Sequence, residues 1–239
     1  MSMFDNLNTD EVVQVEEEKL GGNSKRIEET GIYDFQITKA FGGQSAGGAY
    51  FIEVHLKTED EKDLKVREYI TSGKAKNCKN YYVGKDGKKH SLPGYAKMNA
   101  LDVLLTGNIE QYPKTEKKQI MLYDYEAKKE IPKEADVITS WIGKHVTGLV
   151  RMVQEFKQAK NQATGNYEDT AETRTYPEIV HFVDAVTGQT RSEKIAGKDA
   201  SIKPQFIQKF GSDYVLDKTK GKAKKVEAPA EEVESPFGS

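Results

Sequence analysis

Cysteine is almost absent from this chain, with Cys78 the sole one among 239 residues. A single thiol excludes an intramolecular disulfide and fits a reducing compartment. The four histidines, His55, His90, His145 and His181, are scattered. With one cysteine they do not make the closely spaced ligand set of a structural zinc site, so no metal and no cofactor is expected. No apolar run approaches the roughly 18 residues that a membrane span needs, which predicts no membrane partner. The opening MSMFDNLNTDEVV has neither a basic n-region nor an apolar h-region, which predicts no secretory leader. Hydrophobic residues make up 36% and charged residues 31%, enough for one core with part of the chain outside it.

What is present is an uneven charge distribution. The net charge is only −2, yet residues 1–30 hold eight acids against three bases, and residues 227–239 hold four acids and no base. The chain between them is therefore basic. Lys62 to Lys97 alone carries ten Lys/Arg against Asp63, Glu68 and Asp86. A basic stretch inside an acidic chain is the pattern left by an electrostatic binding surface.

Periodicity predicts a mostly β fold. Gly31–Phe41 alternates, with Tyr33, Phe35 and Ile37 on one face, and 49–56 and 64–70 follow as strands across the loop GGQSAGG. In the last of these, Leu64, Val66 and Glu68 oppose Lys65, Arg67 and Tyr69. The 3.6 spacing of Met98, Leu101 and Leu105 predicts a helix over 97–107, closed by Gly107. Residues 117–127 read as a strand, and 137–142 are ambiguous. Residues 144–156 alternate over a long span, with Val146, Val150, Met152 and Phe156 against Thr147, Leu149, Arg151 and Val153. Residues 178–195 look like a hairpin around Thr187-Gly188, and 204–210 like a short helix with Pro204 first. The expected architecture is an OB-like barrel over 31–217 with insertions and one or two short helices. It lies between a flexible acidic arm (1–30) and a disordered, acidic-ended tail (218–239).

The segment with chemical content is Arg67 to Tyr95. It interleaves Arg67, Lys74, Lys76, Lys79, Lys85, Lys88 and Lys89 with Tyr69, Tyr81, Tyr82 and Tyr95. Lysines track phosphates, and aromatic rings stack on unpaired bases. These are the two residue types that a sequence-tolerant grip on single-stranded DNA needs. The same composition also fits a solvated lysine-rich hairpin with half-buried tyrosines. GGQSAGG lacks the Gly-Lys-Ser/Thr ending of a phosphate loop and reads as a hairpin turn. Cys78 has no His–acid partner nearby in sequence, Trp141 reads as core, and Arg151 as an exposed strand residue. No acid–base or nucleophile set converges, so an enzyme is not expected.

The stretch YITSGKAKNCKNYYVGKDGKKHSLPGYAKMNALDVLLTG (69–107) resembles the central block of single-stranded DNA-binding proteins encoded by lytic podophages. MFDNLNT (3–9), YDYEAKKEIPKE (123–134), GNYEDTAETR (165–174) and AVTGQT (185–190) fit the same family, so the resemblance covers most of residues 3–195. It implies sequence-independent protection of single-stranded DNA in phage replication and recombination, in the host cytoplasm, without catalysis. A phage structural or accessory β-domain and a ring-forming recombination annealing protein are the alternatives.

The C-terminus EEVESPFGS resembles the acidic, Phe-ended tip by which bacterial single-strand binders recruit replication partners, although here Gly238-Ser239 come after Phe237. Glu231, Glu232, Glu234 and Phe237 are thus the candidate partner-binding residues for phage or host replication and recombination proteins. A flexible chain of about twenty residues spans roughly 25 Å, so this acidic end can reach the basic block and compete with DNA phosphates. Deleting residues 227–239 is expected to raise affinity for oligo-dT at low salt and to leave the melting temperature unchanged. A truncated protein that binds no more tightly than the full chain would disprove the competition.

Overall fold

The computed structural model describes residues 25–109, 113–124, 126–162 and 165–220. Strands β1 (Lys25–Arg26), β2 (Gly31–Gln44), β3 (Tyr50–Lys57) and β4 (Lys62–Tyr69) come first, then the short β5 (Tyr81–Val83) and β6 (Lys89–Ser91). Helix α1 (Pro93–Thr106) precedes β7 (Glu116–Asp124), β8 (Lys129–Val137), β9 (His145–Lys160) and β10 (Tyr167–Val183). Helices α2 (Arg191–Ile195) and α3 (Ile202–Lys209) and strand β11 (Val215–Asp217) end the described chain. The protein is mostly β, as its alternation predicts.

β2 is the strand that the others share. Its second half pairs antiparallel with β3, its first half with β9, and Phe41-Gly42 with β8. β4 continues the sheet from β3, and β10 continues it from β9, both antiparallel. β4 and β10 do not pair with each other, so the sheet stays open. Helix α1 packs against both strands and fills the gap. Three strands, a helix and two further strands make the partly open OB-like order, with the β7–β8 hairpin as an insertion.

Phe35, Ile37, Ile52, Val54, Leu56, Leu64 and Val66 line the inner face and meet Met98 and Leu101 of α1. Each such side chain contributes about 1.5–3 kcal/mol by leaving water. Trp141 is core, as its sequence context suggests: it is 0% exposed, and its Nε1 donates to Asp102 Oδ1 at 2.7 Å. Burial raises the Asp102 carboxyl above its ordinary value. A second cluster, Leu149, Val183 and Phe206, covers the other face of β9. That explains why both faces of β9 are apolar.

Several elements depart from the patterning. The strand at Gly31 runs on to Gln44, so the turn of GGQSAGG occupies only 45–49. Helix α1 starts four residues early, with Pro93 at its first position, and ends at Gly107 with φ 74°. Residues 129–137 form β8 despite Pro132, because β8 is paired by β7 along its length and needs few apolar residues. Residues 178–195 are not a hairpin. β10 ends at Val183, Gly188 (φ 71°) turns the chain, and a Thr190–Glu193 capping box starts α2. In α3, Pro204 is the third residue, not the first. Arg151 is not simply exposed: Glu178 Oε2 accepts its Nη2 at 2.6 Å. Residues 25–30, read as part of an arm, are tied in through Ile27, which is 2% exposed, and through Thr30, whose Oγ1 accepts from Met152 N at 2.8 Å.

Glu193 is the most heavily bonded carboxylate at the α2–α3 joint. Burial pushes its pKa up, but hydrogen bonds from the Ser201 hydroxyl and from the backbone N–H groups of Thr190, Ser201 and Ile202 outweigh this and lower it from 4.5 to about 2. A depressed carboxyl stabilises the fold fully above its unfolded value and loses that contribution as pH falls toward 2. Glu193→Gln is therefore expected to cost about 1–3 kcal/mol at pH 7. Thermal melts of the two proteins should converge as pH drops from 5 to 2.5. A gap that stays constant over that range would refute the assignment.

Candidate nucleic-acid interface

The candidate residues lie mainly on one excursion of the chain between β4 and α1. It leaves the sheet where Ile70 N donates to Tyr50 O at 2.9 Å and Tyr50 N donates to Thr71 Oγ1 at 2.9 Å. A short 3-10 turn, Lys74–Lys76, comes next. Ser72 N donates to Lys79 O at 2.8 Å and Lys79 N returns to Ser72 Oγ at 2.9 Å, which closes the turn into a ring. Asn77 and Cys78 take positive φ, 58° and 48°, to make it fit.

The glycines of the β2–β3 loop are the seat of this turn. Lys74 N donates to Gly47 O at 2.9 Å, and a Cβ on Gly48 would lie 2.3 Å from Lys74 Cγ. GGQSAGG thus takes a backbone hydrogen bond and the Lys74 stem against it and holds the basic turn on the sheet. Cys78 Sγ donates a weak hydrogen bond to Gly48 O at 3.4 Å, a second tie to the same loop.

β5 and β6 then form a small separate hairpin that turns at Asp86-Gly87, where Gly87 has φ 72°. Tyr82 and His90 face each other across it with rings 5.5 Å apart and nearly parallel. His90 Nε2 reaches Asp86 Oδ1 at 3.1 Å, and this contact lowers the Asp86 carboxyl from its ordinary value. Tyr81 lies on the opposite face, with the ammonium groups of Lys89 and Lys79 at 4.7 and 5.7 Å from its ring centroid.

Lys76, Lys79, Tyr81 and Tyr82 share a groove of about 420 Å³ floored by Leu92. Tyr82 is half exposed, at 50%. The exposed Lys74, Lys76, Lys79, Lys85, Lys88 and Lys89 form no ion pair among the described residues. Asp86, the one acid of the excursion, is committed to His90 and to Lys88 N. Uncompensated like charges repel, so an arriving anion stabilises this surface.

Arg67 and Tyr69 make a second cluster on the outer face of β3 and β4. Arg67 Nε donates to Glu53 Oε2 at 2.6 Å and the guanidinium stacks on Phe51, 4.5 Å from its centroid. Tyr69 meets the same Phe51 ring edge-on at 6.0 Å and is 49% exposed. Burial raises the Glu53 carboxyl, but hydrogen bonds from His55 and Arg67 outweigh it and hold the group below its ordinary value. Arg67 is thus a partly neutralised cation, unlike the lysines.

Phe51, Glu53, His55, His90 and Leu92 were not singled out from sequence. Phe51 and Ile52 both suit the start of a strand face, so parity alone did not assign Phe51 outward. The His90–Tyr82 contact follows from hairpin register, which Asp86-Gly87 signals only as a turn. Glu231, Glu232, Glu234 and Phe237 lie outside the described residues. Among the described residues no three His, Cys, Asp or Glu side chains gather as a metal-binding group, and no helix is long and apolar enough to cross a membrane. Compared with protein-family models and with curated proteins, the chain matches neither a family nor a curated relative.

Proposed function

We propose that the protein binds single-stranded DNA without sequence preference. The observation that carries this reading is the groove that sets unpaired lysines beside the half-exposed Tyr82 ring and the lysine-covered Tyr81 ring, on an excursion seated against the β2–β3 loop of an OB-like sheet. The outer face of the second and third strands and that loop are where OB-like barrels take oligonucleotides. Each stacked base contributes about 1–3 kcal/mol, and every base has a face to stack, so the grip is sequence-tolerant. Ammonium groups exchange condensed counterions for contacts with the strand, which adds a salt-dependent share. The resemblance to podophage single-strand binders supports a role in protecting single strands during phage replication and recombination in the host cytoplasm. The acidic Phe237 tail would then recruit protein partners.

Oligo-dT is expected to bind much more tightly than a blunt duplex of the same length, since a duplex hides its base faces. Mobility-shift titrations at two salt concentrations measure this, and equal affinity for the two ligands would overturn the reading.

The two residue types are expected to fail differently. Changing Lys74, Lys76 and Lys79 together to Ala should flatten the log–log salt slope by roughly 2, at about 0.7 per lost phosphate contact. Tyr82→Ala should weaken binding by about 1–3 kcal/mol with the slope kept. An unchanged slope in the triple variant would remove those lysines from the strand's path.

A further inference from the structure

A second cavity, of about 380 Å³, opens where α1, the end of β10 and the start of α2 meet. Ala96 and Phe182 contribute to an apolar wall, while Lys97, His181, Arg191 and Ser192 supply polar groups. This volume is in the range of small-molecule sites.

Arg191 is the group that needs explaining. Its Nε is buried and has no hydrogen-bond partner. Elsewhere on the fold, Arg67, Arg151 and Arg174 each hold a carboxylate: Glu53, Glu178 and Glu155. Arg191 holds none among the described residues. The nearest acid in sequence, Glu193, is committed to Thr190, Ser201 and Ile202. Burying even one guanidinium N–H without an acceptor is costly, and the rest of this partly exposed side chain lines the cavity, where an acceptor can reach it.

The neighbours define that acceptor. Lys97 is already neutralised by Glu68, 2.5 Å away. Desolvation first, and the Lys97 charge second, hold His181 below its ordinary value. This favours the neutral ring, which carries one N–H. Guanidinium, imidazole N–H and the Ser192 hydroxyl are three kinds of donor around one space, with a single net positive charge from Arg191. A tetrahedral oxyanion uses such a set better than a planar carboxylate does, and the guanidinium fork matches phosphate oxygens two at a time.

We propose that this cavity binds a phosphorylated organic molecule of about nucleotide size, with its phosphate on Arg191 and its organic part against the Ala96–Phe182 wall. The source is either a free nucleotide or the phosphorylated end of a strand, which share this chemistry.

The test titrates dTMP and thymidine into the wild-type protein and follows the His181 ring resonances by NMR. dTMP should shift them saturably, with at least tenfold higher affinity than thymidine. Arg191→Gln should weaken dTMP binding at least tenfold, and Arg191→Lys by less, with circular dichroism reporting on folding. The Lys74/Lys76/Lys79 triple-Ala variant should bind dTMP as the wild type does, which keeps this site distinct from the groove. Displacement of dTMP by 5′-phosphorylated oligo-dT but not by its 5′-hydroxyl form would assign the site to a strand end; displacement by neither would assign it to a free nucleotide. A His181 resonance that does not move, equal affinity for dTMP and thymidine, or a folded Arg191→Gln variant with unchanged affinity would each overturn the proposal.

Discussion

The basic excursion and the cavity at the start of α1 both depend on one close approach. A Cβ on Gly94 would lie 2.4 Å from the Tyr69 carbonyl oxygen, so only glycine lets the first turn of α1 press onto the end of β4. That contact places the helix in the gap between β4 and β10, two strands that do not pair with each other. It also returns the chain to the sheet beside the point where it left. The basic excursion is therefore held at both ends, and the cavity bounded by Pro93, Ala96 and Lys97 exists because the helix starts there.

The cations divide into two populations with different physical roles. Arg67, Lys97, Arg151 and Arg174 are paired with carboxylates across strand–strand or strand–helix joints. Lys97 and Arg151 are largely covered, which limits screening by salt, whereas Arg67 and Arg174 are more than half exposed and their pairs are screened more. The lysines from Lys74 to Lys89 have no acids opposite them, and the β5–β6 hairpin and its preceding turn keep them on a small, glycine-rich surface. Their mutual repulsion is tolerable because water screens it and the excursion contributes little to the core. Arg191 belongs to neither population: it is partly exposed, its Nε is buried, and no carboxylate pairs with it among the described residues.

Much of the β framework was legible in residue order. Phe35, Ile37, Leu64 and Val66 alternate with polar residues, and the pleat allows such a pattern only one inward face. Gly107 and Asp86-Gly87 were legible for the same local reason, since each needs a positive φ at a defined position. β8 was not, because Lys129–Val137 takes its order from pairing with β7 and presents charges and a proline to solvent. The supposed hairpin at 178–195 failed because Thr187-Gly188 signals a turn but leaves the next element open. The reciprocal Thr190–Glu193 bonds select a helix there.

At the candidate interface, the sequence by itself determined the residue types and their crowding into one segment. Charge and aromatic content are local properties, readable wherever the chain goes. Tertiary structure alone decided which of them act together. Tyr82 meets His90 through hairpin register, Arg67 loses part of its charge to Glu53 on a neighbouring strand, and Lys74 settles onto Gly48 of a loop twenty-six residues earlier. The last two are contacts between residues that no short window contains, and the energies of all three depend on distance and desolvation. For that reason the unpaired state of Arg191 emerges only once the backbone is in place.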